Sequence, residues 1–177
     1  MNETSATAAV ILAAGSSSRM GGGRHKLLLP LDGRPVLAHV IEAALSSQAR
    51  PIIVVLGHEI GKVRTEMAAY LEGPGIIVVE NRDYGQGMST SMRAGLGALL
   101  EGGYGVDSAL IMLGDQPLIT ASVIDKLISA WRVKGKRIIA PLYEGKRGGP
   151  TLFAASLFAE LMEVSGDEGG RRVLEKY

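Results

Sequence analysis

Short apolar runs alternate with amphipathic stretches along almost the whole chain, and this alternation restricts the fold more than any other feature. Residues 8–12, with Val10, Ile11 and Leu12 at their centre, are continuously apolar. Such a run suits a strand buried on both faces. Pro35 then opens a helix where its missing N–H is harmless. Leu37, Val40, Ile41, Ala44 and Leu45 place one apolar face along it at helical spacing. The same alternation predicts strands over 52–56, 76–79, 110–113 and 137–140. It predicts helices over 59–71, 89–100, 155–162 and 167–176, and a further one capped by Thr120 with Val123, Ile124, Leu127, Ile128 and Trp131 as its stripe. Strands of this kind joined by helices form a mostly parallel sheet covered on both faces, a three-layer α/β fold.

Composition narrows what such a fold can do. No cysteine occurs among the 177 residues, which excludes disulfides, thiolate catalysis and cysteine-ligated zinc or iron–sulfur sites. Apolar residues make up 46% and charged residues 21%, a globular balance. A net charge of +1 supplies no general attraction to nucleic acid or an anionic membrane, so neither is expected as a partner. No stretch is long enough to span a bilayer and no basic segment precedes the first apolar run, so the expected location is cytoplasmic. No linker or repeat divides the chain, which is expected to form a single domain over 1–177. The last helix ends at Tyr177 with no strand after it, and the expectation is a domain short of its C-terminal strand.

In an open α/β sheet, ligands gather where loops leave the carboxyl ends of the strands. The first such loop runs LAAGSSSRMGGGRHK, from Leu12 to Lys26. Its glycines let backbone N–H groups face an anion closely, and its serines add hydroxyl donors. Arg19 offers a planar fork for phosphate oxygens and Lys26 a movable point charge. The Lys-Ser/Thr ending of a Walker A loop is missing. A phosphate site and a solvated turn are both compatible with glycine and serine; the position after the first strand and the two spaced cations favour phosphate. The second loop of interest, Gly114-Asp115-Gln116-Pro117, follows the buried run 110–113. Asp115 is either a turn former or a carboxylate placed to hold Mg²⁺, which prefers hard oxygen ligands and bound phosphates.

LAAGSSSRMGGGRHK continuing as LLLPLDGRP resembles the opening signature of the MobA-like nucleotidyltransferases. NRDYGQGMSTSMRAGL, LGDQP, RGGPTLF and SGDEGGRRVL follow in the family order and extend the likeness over nearly the whole chain. It is strongest to the molybdenum cofactor cytidylyltransferase branch, whose KLLLP run stands here at 26–30 where the guanylyltransferase branch carries Lys-Gly-Leu. The resemblance implies a three-layer Rossmann-like nucleotidyltransferase fold that binds a nucleoside triphosphate, CTP, with Mg²⁺. By motif match, Leu12, Ala13, Ala14, Gly15 and Ser16 would line the nucleotide, Arg19 and Lys26 would hold its phosphates, and Asp115 the metal. Gly87 and Ser89, in a turn before a helix, would lie near the bound nucleotide. Arg147 and Gly148 stand where cofactor-modifying members place their acceptor contacts, although those members often carry Arg-Gly-His-Pro and this chain has Arg-Gly-Gly-Pro.

The implied reaction is attack by an acceptor phosphate on the α-phosphorus, with pyrophosphate leaving. Arg19, Lys26 and the metal on Asp115 would offset the repulsion between anions, and positioning would supply the rest. No protein base is needed, since a phosphate monoester is already ionised at neutral pH. Three readings stay open: transfer to a molybdopterin-type cofactor, transfer to a sugar or polyol phosphate, and a nucleotide-binding or cofactor-handling partner without turnover.

Other polar and aromatic residues carry weaker signals. His25, His39 and His58 lack metal-ligand spacing. His39, within the first helix, is expected at the surface or at the margin of the core, His25 in a structural or solvated role, and His58 on the edge that approaches the base. Trp131, Met88 and Met92 are expected in the core. Asp167, Arg171 and Arg172 are either helix-end charges or, by the resemblance, a substrate-facing segment.

Overall fold

The structure, a computed structural model, describes residues 6–16 and 25–177, the Glu168 side chain excepted. The strand β1 (Thr7–Ala13) is buried along its whole length, as its uninterrupted apolar run requires. A small hairpin of β2 (Pro30–Leu31) and β3 (Arg34–Pro35) leads into α1 (Val36–Leu45). Pro35 is the residue before the first helical turn rather than within it, its extended backbone setting the entry angle. Then come β4 (Ile52–Leu56), α2 (Ile60–Glu66), α3 (Ala68–Leu71) and β5 (Ile76–Glu80). The helix expected over 59–71 is split at Met67, whose φ of −104° and ψ of 7° leave the helical region while its side chain goes fully into the core.

The helix α4 (Met88–Glu101) precedes β6 (Ser108–Leu113) and α5 (Ala121–Lys134). Thr120 caps α5, its hydroxyl accepting from the Val123 N–H. The remainder is β7 (Ile138–Ile139), a hairpin of β8 (Leu142–Tyr143) and β9 (Lys146–Arg147), β10 (Thr151–Ala154), α6 (Phe158–Glu163) and α7 (Arg171–Lys176). Gly169, at φ +53°, separates a turn over Gly166–Glu168 from α7, so the helix expected from residue 167 begins later.

Six strands form the main sheet in the order β5-β4-β1-β6-β10-β7. The first four run parallel, while β10 is antiparallel to both β6 and β7. The four-residue β10 was not foreseen. Its apolar run is too short for periodicity to reveal, and it becomes a strand by pairing with the exposed edge of β6. Leu12 lies opposite Leu113, and Ala13 opposite Leu56, so β1, β4 and β6 end together on one edge.

Alternation along β1 sends side chains into two cores. Ala9, Ile11 and Ala13 meet Leu37, Ile41, Met112 and Ile124 under α1 and α5, with Trp131 partly buried at the margin. Ala8, Val10 and Leu12 meet Met92, Leu96, Phe153 and Leu161 under α4 and α6. Gly95 brings α4 onto the sheet: a Cβ there would lie 2.3 Å from Val10 Cγ1 and 3.1 Å from Val55 Cγ2. At the carboxyl end, Lys176 Nζ lies 2.6 Å from Glu160 Oε1, and the Tyr177 hydroxyl donates to Oε2 at 3.1 Å. The Lys176 hydrogen bond holds the Glu160 carboxyl below its ordinary range. No helix among the described residues is long and apolar enough to cross a membrane.

Candidate nucleotide site

A cleft of about 540 Å³ opens at the shared carboxyl edge of β1, β4 and β6. Its floor is the backbone that leaves β1, Leu12 through Ser16, and the end of β6 at Leu113. Gly114 makes the junction possible. A Cβ there would sit 3.0 Å from Ala13 Cβ and 3.2 Å from Leu37 Cδ1, while its N–H donates to the Leu12 carbonyl at 2.9 Å. A strand end held this tightly against the first loop delivers the next residue, Asp115, directly into the cleft.

Lys26 arrives from the other side by a comparable device. It begins a single turn over Lys26–Leu28, pinned on either flank by His25 and Leu27, which are 2% and 6% exposed. With both neighbours buried, the Lys26 side chain projects outward. Its ammonium donates to Asp115 Oδ2 at 2.8 Å, with side-chain exposures of 45% and 36%. Residues 89 positions apart thus form one charge pair at the cleft mouth. Screening at this exposure makes the pair a weak contributor to stability. Its importance is to hold a cation and an acid side by side where an anionic ligand would enter.

The opposite wall is Tyr84, Gly85, Gly87, Met88 and Ser91. Gly87, at φ +107°, precedes α4, and a Cβ on it would come within 2.6–2.9 Å of Gly166 and the Asp167 carboxylate. Asp167 lines the cleft too, and its Oδ1 accepts from the Met88 N–H at 3.2 Å. Arg171 is occupied by Glu175 at 3.1 Å and, with Arg172, lines a second groove that also borders Asp167.

Most of the residues singled out in the sequence therefore come together: Leu12, Ala13, Ala14, Gly15, Ser16, Lys26, Gly87 and Asp115 all line the cleft. Arg19 lies outside the described residues. Ser89 does not reach the cleft. It is wholly buried one residue into α4, and Ser91 takes the lining position because the helix turns it back toward the opening. Arg147 and Gly148 also stand apart from the lining: Arg147 is exposed and donates to the Leu174 carbonyl at 3.5 Å, and Gly148 packs beside the Tyr143 ring. Met88 is 38% exposed on the cleft rim instead of in the core, whereas Met92 is fully buried. His39, inside α1, is partly buried at the margin of the core, its Nε2 2.8 Å from the Leu31 carbonyl. His25 is buried, not solvated. Burial lowers its pKa from the ordinary 6.5.

Tyr84, Ser91 and Asp167 complete the wall, though the sequence reading assigns none of them to the nucleotide. All three lie in segments that carry the family likeness, Tyr84 and Ser91 in NRDYGQGMSTSMRAGL and Asp167 in SGDEGGRRVL, but within those segments nothing local separates a wall residue from its neighbours.

Among the described residues no cluster of three or more His, Cys, Asp or Glu side chains could hold a metal unaided. Asp115 nonetheless fits Mg²⁺ or a similar hard cation, being a partly exposed carboxylate that lines the cleft, with phosphate and water oxygens left to complete the coordination.

Residues 9–177 match the family model for the MobA-like NTP transferase domain. Among curated proteins, the bifunctional protein GlmU of Leifsonia xyli subsp. xyli is 35% identical over 128 residues, covering 72% of this chain and 25% of GlmU. The chain spans about a quarter of the length of the curated relatives it matches. Rv0371c from Mycobacterium tuberculosis H37Rv is similar in structure with a TM-score of 0.79 and 28% identity, covering 97% of this chain and 82% of that one. It has also been solved as a complex with manganese. A nucleotidyl transferase from Methanothermobacter thermautotroptrophicus is similar with a TM-score of 0.74 and 26% identity, covering 97% and 83% of the two chains.

Proposed function

Because this chain belongs to the MobA-like NTP transferase family, we propose that it moves CMP from CTP to the phosphate of a molybdopterin-type cofactor, releasing pyrophosphate. The observation that carries the reading is the Lys26–Asp115 pair, 2.8 Å apart at the mouth of a cleft floored by the glycine-containing backbone after β1. An acceptor phosphate oxygen bonds to the α-phosphorus, and the bond to the bridging oxygen breaks, its electron pair leaving with pyrophosphate. Backbone groups of Ala14, Gly15 and Ser16 orient the nucleotide, and Lys26 balances charge that gathers on the leaving phosphates. Arg19 is assigned the same task by its place in the motif. Asp115 would hold a divalent cation, Mg²⁺ in this reading, which when bound neutralises phosphate charge. A manganese complex of a structurally similar protein supports a divalent ion in this kind of fold. The preference for CTP rests on the KLLLP run at 26–30.

Pyrophosphate release measured with CTP, GTP, UTP and ATP, each against molybdopterin and against sugar or polyol phosphates, tests this directly. Turnover is expected with CTP and the pterin. Turnover confined to a sugar phosphate would replace the acceptor, and tight CTP binding without pyrophosphate release under every pairing would remove the enzymatic reading.

A further inference from the structure

Behind the cleft lies a group that the proposed chemistry leaves unused. His25 is 2% exposed, and its ring nitrogens make no hydrogen bond of good geometry among the described residues, the His58 backbone being the polar group they approach. Its ring stacks on that of His58, with centroids 5.7 Å apart and planes at 24°. His58 in turn meets the Tyr84 ring nearly edge-on, at 5.6 Å and 64°. Tyr84 lines the cleft; the two histidines do not.

The backbone beneath these rings is fitted just as closely. The His58 N–H donates to the Ala14 carbonyl at 3.0 Å. A Cβ on Gly57 would lie 2.9 Å from Ala14 Cβ, the Asn81 carbonyl and Tyr84 Cβ alike. Three segments distant in sequence meet at Gly57, and the row of rings continues that junction to the cleft wall.

We infer that His58 is a positioning residue for the nucleotide, bracing Tyr84 against the cleft from a stack whose base is the buried His25 ring. This inference rests on the nucleotide reading of the cleft. Ring pairs of this geometry contribute modestly beyond the area they bury, so the brace adjusts affinity rather than creating it. A neutral His25 suits the arrangement, because burial opposes its charged form. Against burial, the His58 backbone and then Glu59 favour the charged form, while the His58 side chain and Lys62 of α2 disfavour it; Lys26, next in the chain, has its ammonium on Asp115. Since the folded protein binds this proton less readily than the unfolded chain, the stack's contribution is complete above pH 6.5. It is lost as pH falls through the lower folded value.

The test uses the full chain with CTP and saturating Mg²⁺, comparing wild type, His58→Ala and His58→Phe, each checked by thermal melting for a cooperative fold. His58→Ala is expected to raise Kd for CTP roughly 3–10-fold and to leave kcat at saturating substrate within about twofold. His58→Phe, which keeps the ring and cannot titrate, restores Kd. Ring NMR of the ligand-free protein, with only three histidines to assign, is expected to show His58→Phe shifting His25 and sparing His39. If wild type binds CTP and His58→Ala binds it equally well, or His58→Phe is as weak as His58→Ala, the positioning role falls alone. If wild type binds none of the four triphosphates, the nucleotide reading falls and takes this role with it.

Discussion

The cleft has two sides built to different standards. On one, β1 is hydrogen-bonded along its length between β4 and β6, with registers from Ala9 to Ala13 and from Thr7 to Leu12. Its residues from Ala8 to Ile11 have no exposed surface at all. On the other, the wall over Tyr84–Ser91 is closed by Asp167, which comes from a region, residues 138–177, made of β7, paired to β10 at only two positions, an exposed two-strand hairpin, and α6 and α7 of six residues each. Local stability follows buried apolar contact and protected backbone hydrogen bonds. The first side is therefore a rigid platform suited to a triphosphate. The second is cheaper to deform. This contrast predicts that changes on the platform alter chemistry or global stability, while changes opposite it alter affinity.

The largest expected effect is on the platform. Asp115→Ala should lower pyrophosphate release by roughly 10²–10³-fold with little change in melting, since the side chain is partly exposed. Near-wild-type turnover at saturating Mg²⁺ would take the metal role from Asp115. Next, Gly95→Val should destabilise the fold by about 1–3 kcal/mol through overpacking, because its Cβ would fall 2.3 Å from Val10 Cγ1. Urea titration reads this, and an unchanged midpoint would mean that α4 does not need its close seat on β1.

Across the cleft the effects shrink. Asp167→Ala removes the carboxylate from the Met88 N–H, at a cost of about 1 kcal/mol or less as for other helix caps, and should raise KM for the nucleotide more than it lowers kcat. A loss confined to kcat would place Asp167 among the groups acting on the reacting phosphates. The smallest change is expected for Arg147→Ala, within about 0.5 kcal/mol in stability as at other exposed sites. Any effect should appear in acceptor KM only, and a change in nucleotide KM would contradict the separation of Arg147 from the cleft lining.

Much of this plan was legible along the chain. The four parallel strands, the capped α5 and the placement of Gly15, Lys26 and Asp115 on one edge all follow from signals that are local. These are apolar runs, a threonine at a helix start, and glycines and charges at strand ends. Burial and hydrogen bonding act on such patterns wherever they lie, so the pattern suffices.

Other features depended on contacts between distant segments. Thr151–Ala154 is a strand only because β6 offers it an open edge. His25, between a serine- and glycine-rich loop and a lysine, gave no sign of being buried; it is enclosed because His58 stacks against it from another loop. Ser89 and Ser91 are equivalent in sequence, and the seat of α4 on the sheet decides which of them faces the cleft. Period and propensity are properties of neighbouring residues, whereas a wall, a brace and the partner of a charge are properties of segments that meet only when the chain has closed.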